Sequence, residues 1–501
     1  MKKIITSILA AASVFAIASC DLNLSPNYAI ATVEGEPLIQ TASNLTSMEN
    51  GILSAYRSVQ NGDFVIPQDL MFDGFNATLD FGNNYGALHK TDRNFTSADY
   101  DVEDYWAYNY YAIKNFNVLL ANIDDVPEDL AEDAKIVKGE AFFFRASSYL
   151  NLARHFGKAY NHSNPETDLC VPLVLEYNPS DRPARATIAQ VYEAIGKDLD
   201  SAAVCLAGVK GAVRSLKPTI DAVNALYARY YLDKGDNAKA AEYAHKVIDT
   251  GTYALENSAE AINADFVNDN GTEPVIQLAI SKTEFTGNTF AAYLNPSADN
   301  NVTAGEAFRP YYLPSKKLVD SYEASDIRLN WFDNTIPVFI EGSYHTGEFL
   351  AFVKFRGNPA LTDSPVRNCR QAPKPIRISE LYLIAAEAEL ASNPAAAKAD
   401  LNALQAARGA TPTDATAATV QNEWFKETVG EGLRMSCLKR WNLGFNGRPA
   451  QDAAKNVVQQ IDNFTNKVFD KDSYYFQWPI PSHERKINKN LEQNPGYESN
   501  D

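Results

Sequence analysis

Between residues 218 and 251 the chain permits little besides two short helices laid side by side. Pro218 opens a stretch in which Ala222, Ala225, Leu226, Ala228 and Tyr231 recur at helical spacing, and Gly235 ends it. Asp236 caps a second helix whose inner face is Ala241, Ala244, Val247 and Ile248, ending at Gly251. Small residues three apart let two helix backbones approach closely, and the short Gly-Asp turn forces them antiparallel. The unit is a helical hairpin of the tetratricopeptide kind, although that repeat's full signature is absent.

A second hairpin comes late: 377–391 is one helix, Asn393 and Pro394 mark a break, and 395–408 is the next. Further helices are expected from Thr46 onward, over 105–123, over 131–156 with Gly157 as a stop, and over roughly 420–440. Thr187 and Gln190 stand in capping-box relation ahead of a helix at 188–206. Residues 61–100 read as loops. Between the helical blocks the chain is richer in Gly, Pro, Thr and aromatic residues, and the apolar runs at 274–280 and 349–355 read as strands. The expectation is a mainly α fold in one domain over 44–501. Tetratricopeptide-like hairpins form a scaffold over about 44–255 and 376–450, a loop-rich insertion with short β-strands fills about 256–375, and an extended tail covers 451–501.

The amino terminus has another character. Lys2 and Lys3 precede an apolar run at 4–18, then Ser19 and Cys20. That order is an export signal, too short to span a bilayer as a helix. It resembles a bacterial lipoprotein signal, which implies removal of 1–19 and acylation of Cys20, with 20–43 as an extended tether. Four cysteines remain, Cys170, Cys205, Cys369 and Cys437. Export permits disulfides, but a large core needs none, and mostly free thiols are expected.

A formal net charge of −18 argues against nucleic acid and anionic polymers as ligands, and suits a neutral one. Catalytic signatures are missing. The six histidines (89, 155, 162, 245, 345 and 483) include no i, i+4 pair and no HExxH. There is no CxxC, no GxSxG and no Walker loop. Asp101, Glu103 and Asp104 read as the acidic lead-in to a helix, and Glu387 and Glu389 lie on different sides of theirs.

Several segments stand in a fixed order: KGEAFFFRASSYLNLARHFG at 138–157, CVPLV at 170–174, the hairpin at 225–255, FRPYYLPSKKLVDSYEASDIR at 308–328, PIRISELYLIAAEAEL at 375–390, EGLRMSCLKRWNLG at 431–444, and the pair WPIP at 478–481 with QNPGY at 493–497. Together they resemble the SusD/RagB family of outer-membrane lipoproteins of Bacteroidetes. Two departures stand out: Trp424 and Phe425 lie where that family's late helix usually starts with Glu-Arg, and 61–100 matches no particular glycan specificity. The resemblance implies a non-catalytic, surface-exposed, lipid-anchored outer-membrane protein. Such a protein captures oligosaccharides, or peptides in the RagB branch, and passes them to a SusC-like TonB-dependent transporter. It implies no cofactor, and a structural calcium is not derivable from these residues. A helical-repeat scaffold that binds only proteins and a surface glycosidase are the readings from other classes.

Binding a neutral sugar requires aromatic faces beside polar groups that pair the hydroxyls. The densest such stretch is 72–85, where Phe75, Phe81 and Tyr85 alternate with Asn76, Asp80, Asn83 and Asn84. Tyr85, Asn83 and Asn84 are the first candidates for contact; the alternative is a Gly-Asn turn whose aromatics fold inward. Phe290, Tyr293 and Trp331 are weaker candidates, Trp331 in a context that favours the core. Trp106, Trp441 and Trp478 are expected in packing, and Arg145 and Arg154 as braces between helices.

Overall fold

The computed structural model describes residues 37–283, 289–298 and 306–497. The leader, Cys20 and most of the expected tether lie outside them. Chain order among the longer helices is α1 (Ala42–Ser58), α2 (Tyr100–Leu120), α3 (Ala131–Phe156), α4 (Ile188–Leu206), α5 (Ile220–Lys234) and α6 (Asn237–Ile248). After α7 (Ala259–Asn268) come α8 (Ile378–Glu389), α9 (Pro394–Ala407), α10 (Ala417–Glu427) and α11 (Arg434–Trp441).

The starts follow from capping. The Thr41 side chain accepts from the Asn44 N–H at 3.2 Å, so α1 begins four residues before the expected Thr46. Asp99 accepts from the Asp101 N–H at 3.0 Å and starts α2 at Tyr100 rather than at 105. Thr187 and Gln190 close both halves of the capping box on α4, at 2.9 and 3.2 Å. In the first hairpin Gly235 takes φ +77°, a left-handed conformation that glycine adopts without penalty. Ala222, Ala225 and Ala228 on α5 and Ala240, Ala241 and Ala244 on α6 are all buried.

The second hairpin, α8 and α9, packs directly on the first through α6, although residues 249–377 separate them in sequence. The stretch at 420–440 is not one helix. Gly430 and Gly432 take φ of +79° and +74° and split it into α10 and α11, and a side chain at Gly430 would run into Phe355.

The insertion carries small sheets only. Pro274–Ile276 pairs antiparallel with Ile376–Arg377, and Ala351–Phe352 with Phe332–Asp333, so both expected strands form, shorter than expected. Phe75–Ala77 pairs with Tyr312–Pro314, which fastens the 61–100 segment to the insertion. Apolar burial is divided between a helical core and an insertion core that includes Phe75, Phe81, Tyr293 and Trp331. Where the two meet, Arg328, Arg377 and Arg408 interlock with Asp326, Glu273 and Glu427. Cys170, Cys205, Cys369 and Cys437 are free thiols. No helix among the described residues is long and apolar enough to cross a membrane.

Candidate functional site

A cleft of about 560 Å³ opens beside the first turns of α2. One wall is α2 itself, which presents Tyr100, Asp101, Asp104 and Tyr108. The facing wall is the turn carrying Asn84 and Tyr85, with Asp63 and Phe64 at its base and Thr289, Ala291, Ala292 and Tyr311 at the insertion side. Two other clefts, of about 490 and 460 Å³, have no tyrosine or tryptophan on their walls. Among these three clefts, tyrosines line the first alone.

The turn is held in an unusual backbone. Asn83 and Tyr85 take φ of +61° and +54°, a region costly for a bulky side chain unless its surroundings fix it. The fixing contacts are present. The Tyr312 hydroxyl donates to the Asn84 carbonyl at 2.6 Å, the Asn84 amide donates to the Phe81 carbonyl at 2.6 Å, and the Tyr85 hydroxyl donates to Asp63. The Tyr108 ring leans on Phe64 with centroids 5.2 Å apart. Tyr100 is 63% exposed and Tyr108 is 46% exposed, so both offer ring surface to a ligand.

Electrostatics sets this cleft apart. Burial pushes the Asp101 carboxyl up to about 8, with Asp99, Asp63 and Asp104 adding to the shift. Burial also raises Asp63; the Tyr85 hydroxyl bond opposes that rise and Asp104 reinforces it. No lysine, arginine or histidine is among the described residues lining the cleft. At neutral pH Asp101 therefore keeps its proton and both donates and accepts, as a sugar hydroxyl does. No trio of metal-ligating atoms converges here among the described residues.

Of the residues expected at the site, Tyr85 and Asn84 line the cleft. Asn83 is exposed in the same turn without lining it, and the exposed Asp80 accepts from the Glu341 N–H at 2.9 Å, tying the turn to the insertion. The other four expectations are corrected. Phe75 is fully buried, with its ring 4.8 Å from Tyr293 and 5.3 Å from Phe352, and Phe81 packs on Phe464. Tyr293 is 1% exposed. Trp331 is completely enclosed, its face covered by the Lys354 ammonium at 3.9 Å. Phe290 is buried too, stacked on Phe355 at 4.1 Å. Burial of each ring contributes about 1.5–3 kcal/mol to folding, and none is more than 8% exposed.

The cleft also holds Asp101 and Asp104, which read as the acidic lead-in to a helix, and Asp63, Tyr100, Tyr108 and Tyr311, which the sequence did not single out. A signal for three of them was present. Tyr100, Asp104 and Tyr108 recur every four residues on one face of α2, while Val102, Tyr105, Trp106, Asn109 and Ile113 are buried on another.

Comparison with known proteins agrees with the architecture. A family model described as "Starch-binding associating with outer membrane" matches residues 33–232, and the SusD/RagB model, described as "SusD family", matches 351–497. No curated protein matches this chain in sequence. Among solved structures, a putative sugar binding protein from Bacteroides vulgatus is 26% identical, with a TM-score of 0.72 over 92% of this chain and 99% of that one. A SusD superfamily protein from Bacteroides thetaiotaomicron is 23% identical, with a TM-score of 0.73 over 90% and 99%. A laminarin binding SusD-like protein is 22% identical, with a TM-score of 0.69 over 91% and 100%.

Proposed function

Since the chain belongs to the SusD/RagB family, we propose that it captures neutral oligosaccharides in the cleft between α2 and the 83–85 turn, without altering them. The observation that carries this reading is the convergence of Tyr85, Tyr100, Tyr108 and Tyr311 around carboxyl groups with no cation among the described lining residues. Tyrosine rings cover the apolar faces of a pyranose, while Asp63, Asp101 and Asp104 pair its hydroxyls. A structural relative described as laminarin binding and a family model described as starch-binding name the first ligands to try.

In this reading acylated Cys20 tethers the protein to the outer membrane, and the captured glycan passes to a SusC-like TonB-dependent transporter. Tethering beside a transporter keeps captured ligand at high local concentration, so modest affinity suffices for uptake. Mass spectrometry of the mature amino terminus checks the acyl chains.

The direct test is isothermal titration of the purified protein with laminarin and starch oligosaccharides within a panel of neutral glycans. Tyr85→Ala is expected to weaken any hit roughly tenfold, about 1.4 kcal/mol. Unchanged affinity removes the cleft from the site. New reducing ends on incubation with the bound glycan would overturn the non-catalytic reading.

A further inference from the structure

Three side chains from three helices converge where the two hairpins stack: His245 on α6, Glu389 at the end of α8 and Asp400 on α9. His245 Nε2 lies 3.6 Å from Glu389 Oε2 and 3.5 Å from Asp400 Oδ2. All three ligating atoms fall within 4.8 Å of one another. The two measured separations are too long for charge-assisted hydrogen bonds, which close to about 2.7–2.9 Å. They meet a different requirement. Ligand bonds of about 2.0–2.2 Å around a tetrahedral ion place neighbouring ligand atoms about 3.3–3.6 Å apart.

A second observation points the same way. Asp400 is 8% exposed, and no donor among the described residues reaches its Oδ2 or Glu389 Oε2. Buried carboxylate oxygens that face each other without a donor are destabilising, and a cation between them reverses the sign. The nearest lysine on α6 does not serve, because Lys246 pairs with Glu242 at 2.7 Å. The His245 side chain is 31% exposed, which leaves a path from solvent.

We propose that His245, Glu389 and Asp400 form a binding site for a divalent transition-metal ion, held by one imidazole and two carboxylates. The imidazole selects a zinc-like ion over magnesium or calcium, which prefer oxygen ligands. The ion clips the first hairpin to the second and so closes the chain around the insertion at 249–377. Because the ligands meet only in the folded state, binding stabilises the native protein. No local spacing announces the site, since its three ligands come from distant helices.

The test is zinc titration of the EDTA-treated purified protein, read by calorimetry for stoichiometry and by thermal unfolding for stability. One ion per chain is expected. With zinc about 100-fold above its dissociation constant, the unfolding midpoint rises by roughly 3 °C. Magnesium at the same concentration leaves it unmoved. His245→Ala, at a partly exposed position, keeps the fold and weakens zinc binding at least about tenfold. Asp400→Asn, a near-isosteric change, weakens it as well. No zinc-dependent shift in the unaltered protein, or equal zinc binding in both variants, overturns the proposal and leaves the two carboxyls sharing a proton.

Discussion

Two groups of carboxylates in this molecule stand in opposite electrostatic conditions. At the junction of the two cores, Asp326, Glu273 and Glu427 are 0–2% exposed, and each lies 2.7–3.2 Å from guanidinium nitrogens of Arg328, Arg377 or Arg408. In the cleft, Asp63, Asp101 and Asp104 share walls with tyrosines and no described cation. Burial is the largest influence in both places and raises Glu427 and Asp101 alike. Arg408, Arg377 and Arg328 then pull Glu427 well below its ordinary value, while neighbouring aspartates push Asp101 further up to about 8. The difference lies in where the arginines are. Cations are assigned to the carboxylates that join the cores, and the cleft's hydrogen-bonding capacity is left for a ligand.

The comparison breaks most directly at the junction. Arg408→Met removes the guanidinium that bonds Glu427, Glu273 and the Glu256 carbonyl at 2.6–2.9 Å. Truncating one member of such a buried set leaves the others charged and short of a partner, so a loss of about 3–5 kcal/mol is expected. Urea unfolding measures it. A loss below about 1 kcal/mol means the junction charges are solvated after all, and the contrast with the cleft disappears.

A smaller effect, confined to binding, is expected across the cleft. Tyr100→Ala and Tyr108→Ala each remove an exposed ring, so stability moves by less than about 0.5 kcal/mol. Affinity for a bound glycan falls roughly tenfold, about 1.4 kcal/mol. Trp331→Ala sharpens the contrast, because it opens a cavity under Lys354, costs about 3–5 kcal/mol of stability and leaves the affinity of the folded fraction unchanged. Titration calorimetry beside denaturant unfolding separates the two behaviours; equal affinity in all three variants would place the ligand elsewhere.

How much of this was legible in the sequence differs between the same two regions. Helices α3 and α4 span the residues the sequence indicated, α3 because Gly157 follows its last turn and α4 because its capping box and apolar stripe fall in one short window. The stacking of α8 on α6 was not legible, since no local pattern encodes contact across residues 249–377. At the site, residue type misled. Phe75, Phe81, Tyr293 and Trp331 have the composition of a sugar platform but enter the insertion core, where each ring meets other rings. Tyr100 falls in the stretch that read as loops and Tyr108 in the helix whose Trp106 read as packing, and only the face on which they fall distinguishes them from the buried Tyr105 and Trp106. Sequence identifies an aromatic residue; whether its ring is covered depends on tertiary packing.

The last expected effect tests the proton on Asp101. Its folded carboxyl titrates near 8, whereas in the unfolded chain it returns to the ordinary aspartate range near 4. Between those values the folded state binds the extra proton, so this group's contribution to stability is fully present below about pH 4 and is lost as pH rises toward 8. Glu427 has the opposite sign: its contribution is present above the ordinary glutamate range and is lost on acidification through its depressed folded value. Asp69, Glu140 and Glu256, pushed by burial to about 7, 8 and 9, slope in the same direction as Asp101, so the full pH profile does not isolate it. The difference between the unaltered protein and Asp101→Asn does. The asparagine variant should gain relative stability steadily from pH 5 to pH 8, by up to about 3–4 kcal/mol in all, with the acid limb set by the junction unchanged. A difference that stays flat across that window means Asp101 is ionised throughout; the cleft then holds an ordinary carboxylate, and the two regions differ in geometry alone.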